Sequence, residues 1–225
     1  VYEWWVRTFP QAEFKYVNAG IGGTTSQFGV ARAQDDLLDA EPDFVIAEFS
    51  VNDESTGHFE ETYEGLVRKI LSSKSHPALM LVHNVCYNNG ASAELVHSRI
   101  ARHYNIPSVS MQSTLYKAIL NCRFDNRRIT PDDLHPNDCG HELVSMVITK
   151  RLEQIKNTVK AEYETAKSQR AAAQPDAGAA ALLPEPLTAN AYEDSVRYRN
   201  YNSTPELDGF KADMSEQRDI TDCFK

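Results

Sequence analysis

Several features that would settle a protein's class are scarce here. Among 225 residues there are four cysteines, Cys86, Cys122, Cys139 and Cys223, with no Cys-x-x-Cys pair and no tight cluster with histidine. That spacing gives no support for zinc, and four thiols in a chain of this length do not make a disulfide scaffold. Free thiols are expected, and neither a metal nor a cofactor. No apolar run approaches the roughly 20 residues that span a bilayer. The opening stretch is aromatic and charged, unlike a secretory signal. Positive charge is in short supply: 23 Lys and Arg against 32 Asp and Glu leave a net charge of −9. Phosphates would be repelled, which argues against nucleic acid or an anionic membrane as partner. There is no initiator methionine, so an excerpt of a longer polypeptide is expected.

What remains is a globular composition, 41% apolar and 24% charged, long enough to bury a core. At about 150 residues per domain the length corresponds to roughly one and a half domains. The first two thirds alternate strand-like and helix-like segments. "FKYVNAG" (14–20) is a short apolar run ending in glycine, followed by a segment with Val30, Ala33, Leu37 and Leu38 on one helical face. "DFVIAEF" (43–49) and "ALMLVHNV" (78–85) read as buried strands, and "PSVSM" (107–111) as a short one. Between them Phe59, Tyr63, Leu66, Val67, Ile70 and Leu71 recur at the helical period. Further helices are expected at 92–104, 112–121 and 138–160, the last carrying Leu143, Val144, Val147, Ile148, Leu152 and Ile155. Such alternation predicts a parallel sheet covered by helices on both faces. From residue 161 the chain turns Ala/Pro-rich and reads as the frayed end of a helix followed by a linker, to about 185. Residues 186–225 are polar with scattered tyrosines, like the start of a β-rich accessory region.

In an open parallel sheet, ligands bind at the carboxyl ends of the strands. Three polar clusters fall there. "TPDDLHPNDCGH" precedes the last helix; its Asp132 and His135 are spaced so that the carboxylate can fold back onto Nδ1 and leave Nε2 as a general base. The plainer alternative is that Asp132 or Asp138 caps a turn or helix with His135 packed beneath it. Asp133 is placed to turn away, and His141 reads as helix packing or surface. "NAGIGGTTS" brings Gly20, Gly22 and Gly23 to the end of the first run, where backbone N–H groups can meet a ligand. Thr25 stands where a dinucleotide fingerprint needs its third glycine, and no phosphate-loop lysine follows. A simple tight turn is the alternative. "SVND" ends the second strand with Asn52 and Asp53, and an amide there can donate to a developing oxyanion; otherwise it forms an Asx turn.

Together and in this order, the three clusters resemble the SGNH (GDSL-type) hydrolase family. "NAGIGGTTS" is similar to its second block, matching Gly23 to the oxyanion-hole glycine. "SVND" is similar to the third, usually Gly-x-Asn-Asp, with Asn52 as the oxyanion asparagine and Ser50 replacing the glycine. "DDLHP" is similar to the fifth, with Asp132 and His135 in the triad roles. The resemblance covers about residues 1–160, and "VYEWWVRTFP" looks like the end of the family's first helix. It implies a three-layer α/β/α sandwich with a parallel flavodoxin-like sheet.

The departure is the family's first block, Gly-Asp-Ser, which supplies the nucleophile and occurs nowhere in the chain. The one Gly-x-Ser, Gly90-Ala91-Ser92, opens a surface helix. Ser26 and Ser50 are not in the family's nucleophile position. The first strand is therefore expected to lie upstream of Val1, between the runs starting at Phe14 and Asp43. Either the 225 residues are part of a longer active enzyme, or they are an inactive truncation. For the intact enzyme the resemblance implies ester hydrolysis through a Ser-His-Asp triad. With the appended β-rich region, a small-molecule or carbohydrate ester is the expected substrate, short-acyl carbohydrate deacetylation coming first and a general carboxylesterase second. A nucleotide-binding protein would share the glycine-rich turn without needing Asp132 and His135; a binding or scaffold protein would suit the missing serine.

Overall fold

The computed structural model describes residues 1–170, 183–198, 202–204, 206 and 208–209. Its sheet is built from the short apolar runs: β1 (Phe44–Ala47), β2 (Ala78–His83) and β3 (Ser108–Ser110). All are parallel, in the order β1-β2-β3, with Ile46 beside Met80 and Leu81 beside Ser108. Parallel neighbours need long return connections, and helices supply them. Helix α1 (Tyr2–Thr8) opens the chain, α2 (Ser26–Asp36) precedes β1, α3 (Gly57–Leu71) joins β1 to β2, and α4 (Glu94–His103) joins β2 to β3. A π-helical turn, Gln112–Tyr116, runs into α5 (Lys117–Leu120), and α6 (Asp138–Arg170) closes the series.

Alternation along β2 makes the three layers. Successive strand side chains point to opposite faces. Leu79 and Leu81 pack with Val30 of α2, with Tyr63, Leu66, Val67 and Ile70 of α3, and with Ile100 of α4. Met80 and Val82 pack on the other face with Met111, Ile129, Ile148 and Leu152, flanked by Trp4, Trp5 and Phe44. Burial of each large aliphatic contributes about 1.5–3 kcal/mol, so two such clusters hold the sheet between its helices. The apolar stripe expected on α3 is the one that is buried, and the expected face of α6 is in contact from Leu143 to Ile155.

Three expectations need correction. Residues 14–20 form no strand, and Tyr16 is 70% exposed. A strand requires a neighbour for its N–H and C=O groups, and among the described residues this run has none; β1 pairs with β2 alone. Second, the stretch after 160, expected as a frayed helix end, is regular helix, and α6 continues to Arg170, because Ala, Glu and Lys sustain a helix without core contact. Residues 171–182 of the linker expected at 161–185, Cys223 and the chain beyond 209 lie outside the described residues. Third, residues 183–198 contain no strand. They lie along α3 as an irregular strap. The buried Glu64 carboxylate accepts from Tyr104 Oη at 2.5 Å, from the N–H groups of Leu187 and Thr188 at 2.5 and 2.7 Å, and from the Thr188 hydroxyl. Arg68 pairs with Glu193 at 2.7 Å. Gly65 permits the approach: a Cβ there would sit 2.9 Å from Glu193 N.

Candidate active site

The loop before α6 is pinned from both ends. Gly140, in the first turn of α6, lies so close to the preceding chain that a Cβ would fall 2.2 Å from the Ile129 carbonyl oxygen. Asn137 caps the helix, its Oδ1 accepting from Gly140 N at 3.0 Å, and its own N–H reaches Ile129 O at 2.9 Å. Within this frame Asp132 Oδ2 meets His135 Nδ1 at 2.6 Å, and Asp132 Oδ1 accepts from His135 N at 2.8 Å and Leu134 N at 3.1 Å. The carboxylate thus both closes a turn and holds the imidazole. The side-chain bond to His135, then the two backbone N–H groups, keep the Asp132 carboxyl well below the usual carboxylate range. With Nδ1 engaged, Nε2 is the ring nitrogen left to take a proton, and the ring is exposed.

Asp133 does turn away, as expected, but it is not idle. Its backbone is left-handed, with φ of 73°, a conformation that costs a non-glycine residue free energy unless its surroundings hold it. Its carboxylate accepts from Asn126 at 2.6 Å and Arg127 at 3.0 Å, and its carbonyl accepts from Tyr87 N at 2.7 Å. The last bond ties the His135 loop to the segment between β2 and α4.

That segment also holds the "SVND" turn. Ala93 N donates to Ser50 O at 2.7 Å, and Ser50 Oγ reaches Asn84 O at 2.9 Å. Asn52 and Asp53 close the turn through bonds from their N–H groups to Phe49 O. The Asn52 side chain is exposed and has no hydrogen-bond partner among the described residues. Asp53 is buried, and its Oδ1 accepts from Ser26 N, the first residue of α2, at 2.8 Å. The glycine turn that leads into α2 is solvent-facing. Gly23 has φ of 68°, the left-handed region where glycine alone is unstrained.

So the structure brings Asp132 onto His135, and joins the turns of Gly23 and Asn52 through Asp53. What sequence reasoning missed is the connecting role of Asp53 and Asp133, and Asn84 and Tyr87 altogether. Only the turn-forming "NNG" at 88–90 hinted at the bridging segment. No serine among those singled out presents a free hydroxyl. Ser26 Oγ shares a hydrogen with Thr62 at 2.7 Å, Ser50 Oγ bonds Glu48 at 2.7 Å, and Ser92 Oγ donates to Asn84 O at 2.7 Å. Beneath the turn, burial lifts the Glu48 carboxyl above its usual range against the lowering effect of its Ser50 bonds. Burial, with His97 nearby, drops His83 from the usual 6.5 to about 4. Among the described residues no group of three or more His, Cys, Asp or Glu side chains could hold a metal ion, and Cys86, Cys122 and Cys139 are free thiols.

Residues 2–143 match the model of the GDSL-like lipase/acylhydrolase family. The chain belongs to that family. The GDSL-like match spans α1 to the start of α6 and so includes all three polar clusters. A two-domain esterase active on acetylated mannans, co-crystallised with mannopentaose, is 60% identical with a TM-score of 0.84. The alignment covers 100% of this chain and 55% of that one, so the chain spans just over half the esterase's length. The thioesterase 1/protease 1/lysophospholipase L1 of Escherichia coli strain K12 is 26% identical over 158 residues, 65% of this chain and 71% of that protein. An acetylxylan esterase from Geobacillus stearothermophilus, solved as a catalytic mutant, shares the fold at 18% identity. Its TM-score is 0.57, over 67% of this chain and 77% of the other.

Proposed function

We propose that this GDSL-like chain is the larger part of the catalytic domain of a serine-type ester hydrolase that removes short acyl groups, acetyl first, from carbohydrates. The observation that carries the reading is the exposed Asp132–His135 pair at 2.6 Å. The attacking serine comes from a strand outside these 225 residues that pairs with the open edge of β1, where Ile46 is 38% exposed. Its Oγ adds to the ester carbonyl carbon while His135 Nε2 takes the hydroxyl proton. Asp132 stabilises the imidazolium, and the proton then passes to the departing alcohol as the tetrahedral species collapses to an acyl-enzyme. Water repeats the sequence and frees the acid. The N–H of Gly23, the amide of Asn52 and the serine's own N–H hold the oxyanion. The carbohydrate assignment is supported by the 60% identical esterase and its acetylated mannan substrates.

The test uses the enzyme with its upstream segment, assayed on p-nitrophenyl acetate and on acetylated mannan. Release of acetate from both, abolished by His135→Ala, is the expected result. A folded, serine-bearing enzyme inert on both would favour a binding role instead.

A further inference from the structure

The two turns assigned to the oxyanion lie in separate parts of the chain, and each is loosely made on its own. The glycine turn has few internal anchors: Thr24 Oγ1 to Ile21 O at 2.7 Å and Gly20 N to Asn18 Oδ1 at 3.0 Å. Nothing lies within 4 Å of where a Gly23 Cβ would be. Its ends are instead held by two buried charged side chains. Arg32 Nη1 donates to Ala19 O at 2.6 Å, and Asp53 Oδ1 accepts from Ser26 N at 2.8 Å.

The second bond is unusual in its origin. A helix normally receives its N-terminal acceptor from the capping residue itself. Thr25, the N-cap of α2, makes no side-chain cap bond. The acceptor comes from 27 residues away in sequence, from the residue that follows Asn52. A local cap would fix the helix end only. A cap sent from the Asn52 turn fixes the distance between the turns, and the negative carboxylate suits the positive end of the helix. Asp53 is immobilised in turn. Its Oδ2 faces His97 Nε2 at 3.0 Å, with both side chains fully buried. The His97 ring stacks on Tyr63 at 3.6 Å and 16°. Phe49 adds a second tie, since its ring lies where a Cβ on Gly29 of α2 would be, 2.7 Å away.

We propose that Asp53 is a positioning residue for the oxyanion hole: one buried carboxylate locks the Gly23 turn to the Asn52 turn. This rests on the esterase reading above. Oxyanion donors act within a few tenths of an ångström, and a misplacement of about 1 Å can cost roughly 10²-fold in rate. Asp53→Ala therefore lowers kcat by about 10- to 100-fold with KM little changed, because the lost interaction exists only in the transition state. Asp53→Asn keeps an acceptor for Ser26 N and recovers most of that loss.

The experiment measures kcat and KM on p-nitrophenyl acetate per active site counted by fluorophosphonate labelling, with hydrogen exchange at the Ser26 amide. It uses the complete enzyme and its Asp53→Ala and Asp53→Asn variants. Loss of kcat and faster Ser26 exchange in the first, restored together in the second, is the expected pattern. If Asp53→Ala does not fold, Ser26→Pro against Ser26→Ala carries the same comparison. Proline is accepted at the first helical position and removes that N–H donor together with the hydroxyl that meets Thr62, whereas alanine removes the hydroxyl alone. Ser26→Pro is then expected to have the lower kcat. Equal kcat in that pair, or a wild-type kcat per labelled site in Asp53→Ala, overturns the proposal while leaving the esterase reading intact. A wild-type enzyme that hydrolyses no ester overturns both.

Discussion

Two aspartate–histidine pairs in this molecule have similar chemistry and opposite circumstances. In Asp53–His97 both side chains are 0% exposed, whereas in the other pair His135 is 75% and Asp132 51% exposed. The buried pair joins two helices and a turn, and its imidazole is stacked under a tyrosine ring. The exposed pair sits on one loop, and its imidazole can reach a reactant. A hydrogen-bonded carboxylate and imidazole are therefore not by themselves a mark of catalysis. Access decides, and burial converts the same pair into a fastening.

Breaking the exposed pair sets the difference most sharply. In the complete enzyme His135→Ala is expected to lower kcat by about 10²–10⁴, the usual worth of a general acid–base, with the urea midpoint unmoved. Asn52→Ala removes the solvent-facing amide proposed as an oxyanion donor. It should cost about 10²–10³ in kcat, again without loss of stability, and a variant with unchanged kcat would remove Asn52 from the site. The buried pair should respond the other way. His97→Ala takes away a stacked, fully buried ring and should lower the unfolding free energy by about 2–5 kcal/mol, as other large-to-small core changes do. A denaturation midpoint equal to wild type would contradict that role.

The smallest effect separates the two regions by pH. His83, buried near His97, is held at about 4 against the usual 6.5. The folded state keeps it neutral, while the unfolded chain takes up the proton first. Its contribution to stability is thus fully present above about pH 6.5 and is lost as pH falls towards about 4, at no more than about 1.4 kcal/mol per pH unit. Urea melts at about pH 7, 5.5 and 4.5 should show that slope, flattened in His83→Leu. The Asp132 carboxyl, held low by its His135 bonds, stays ionised in the folded state over the same interval and adds to the slope only at its acid end, where the unfolded chain begins to protonate that carboxyl.

Much of this architecture was legible in advance, for local reasons. The apolar stripe of α3 and the runs of β1, β2 and β3 follow from side-chain period, which every residue carries with it. The Asp132–His135 contact was legible because three residues separate the partners and a turn suffices to close it. Legibility failed wherever a segment's state depends on a distant neighbour. The 14–20 run has strand composition but no ladder partner among the described residues. The strap at 183–198 looked β-rich from its tyrosines, yet its conformation is dictated by Glu64, Gly65 and Arg68 of α3.

By itself, then, the sequence determined the alternating α/β order, the three polar clusters and the aspartate that belongs to His135. Periodicity and short-range hydrogen bonds need only the neighbouring residues. Only the tertiary structure decided that Asp53 caps a helix 27 residues before it and meets a histidine 44 residues after it. It also decided that Asp133 is held strained against the segment before α4, and that the chain after α6 returns to lie on α3. Those bonds exist because the parallel sheet brings the carboxyl ends of its strands together, and a carboxylate taken out of water settles on whichever donors the fold puts beside it.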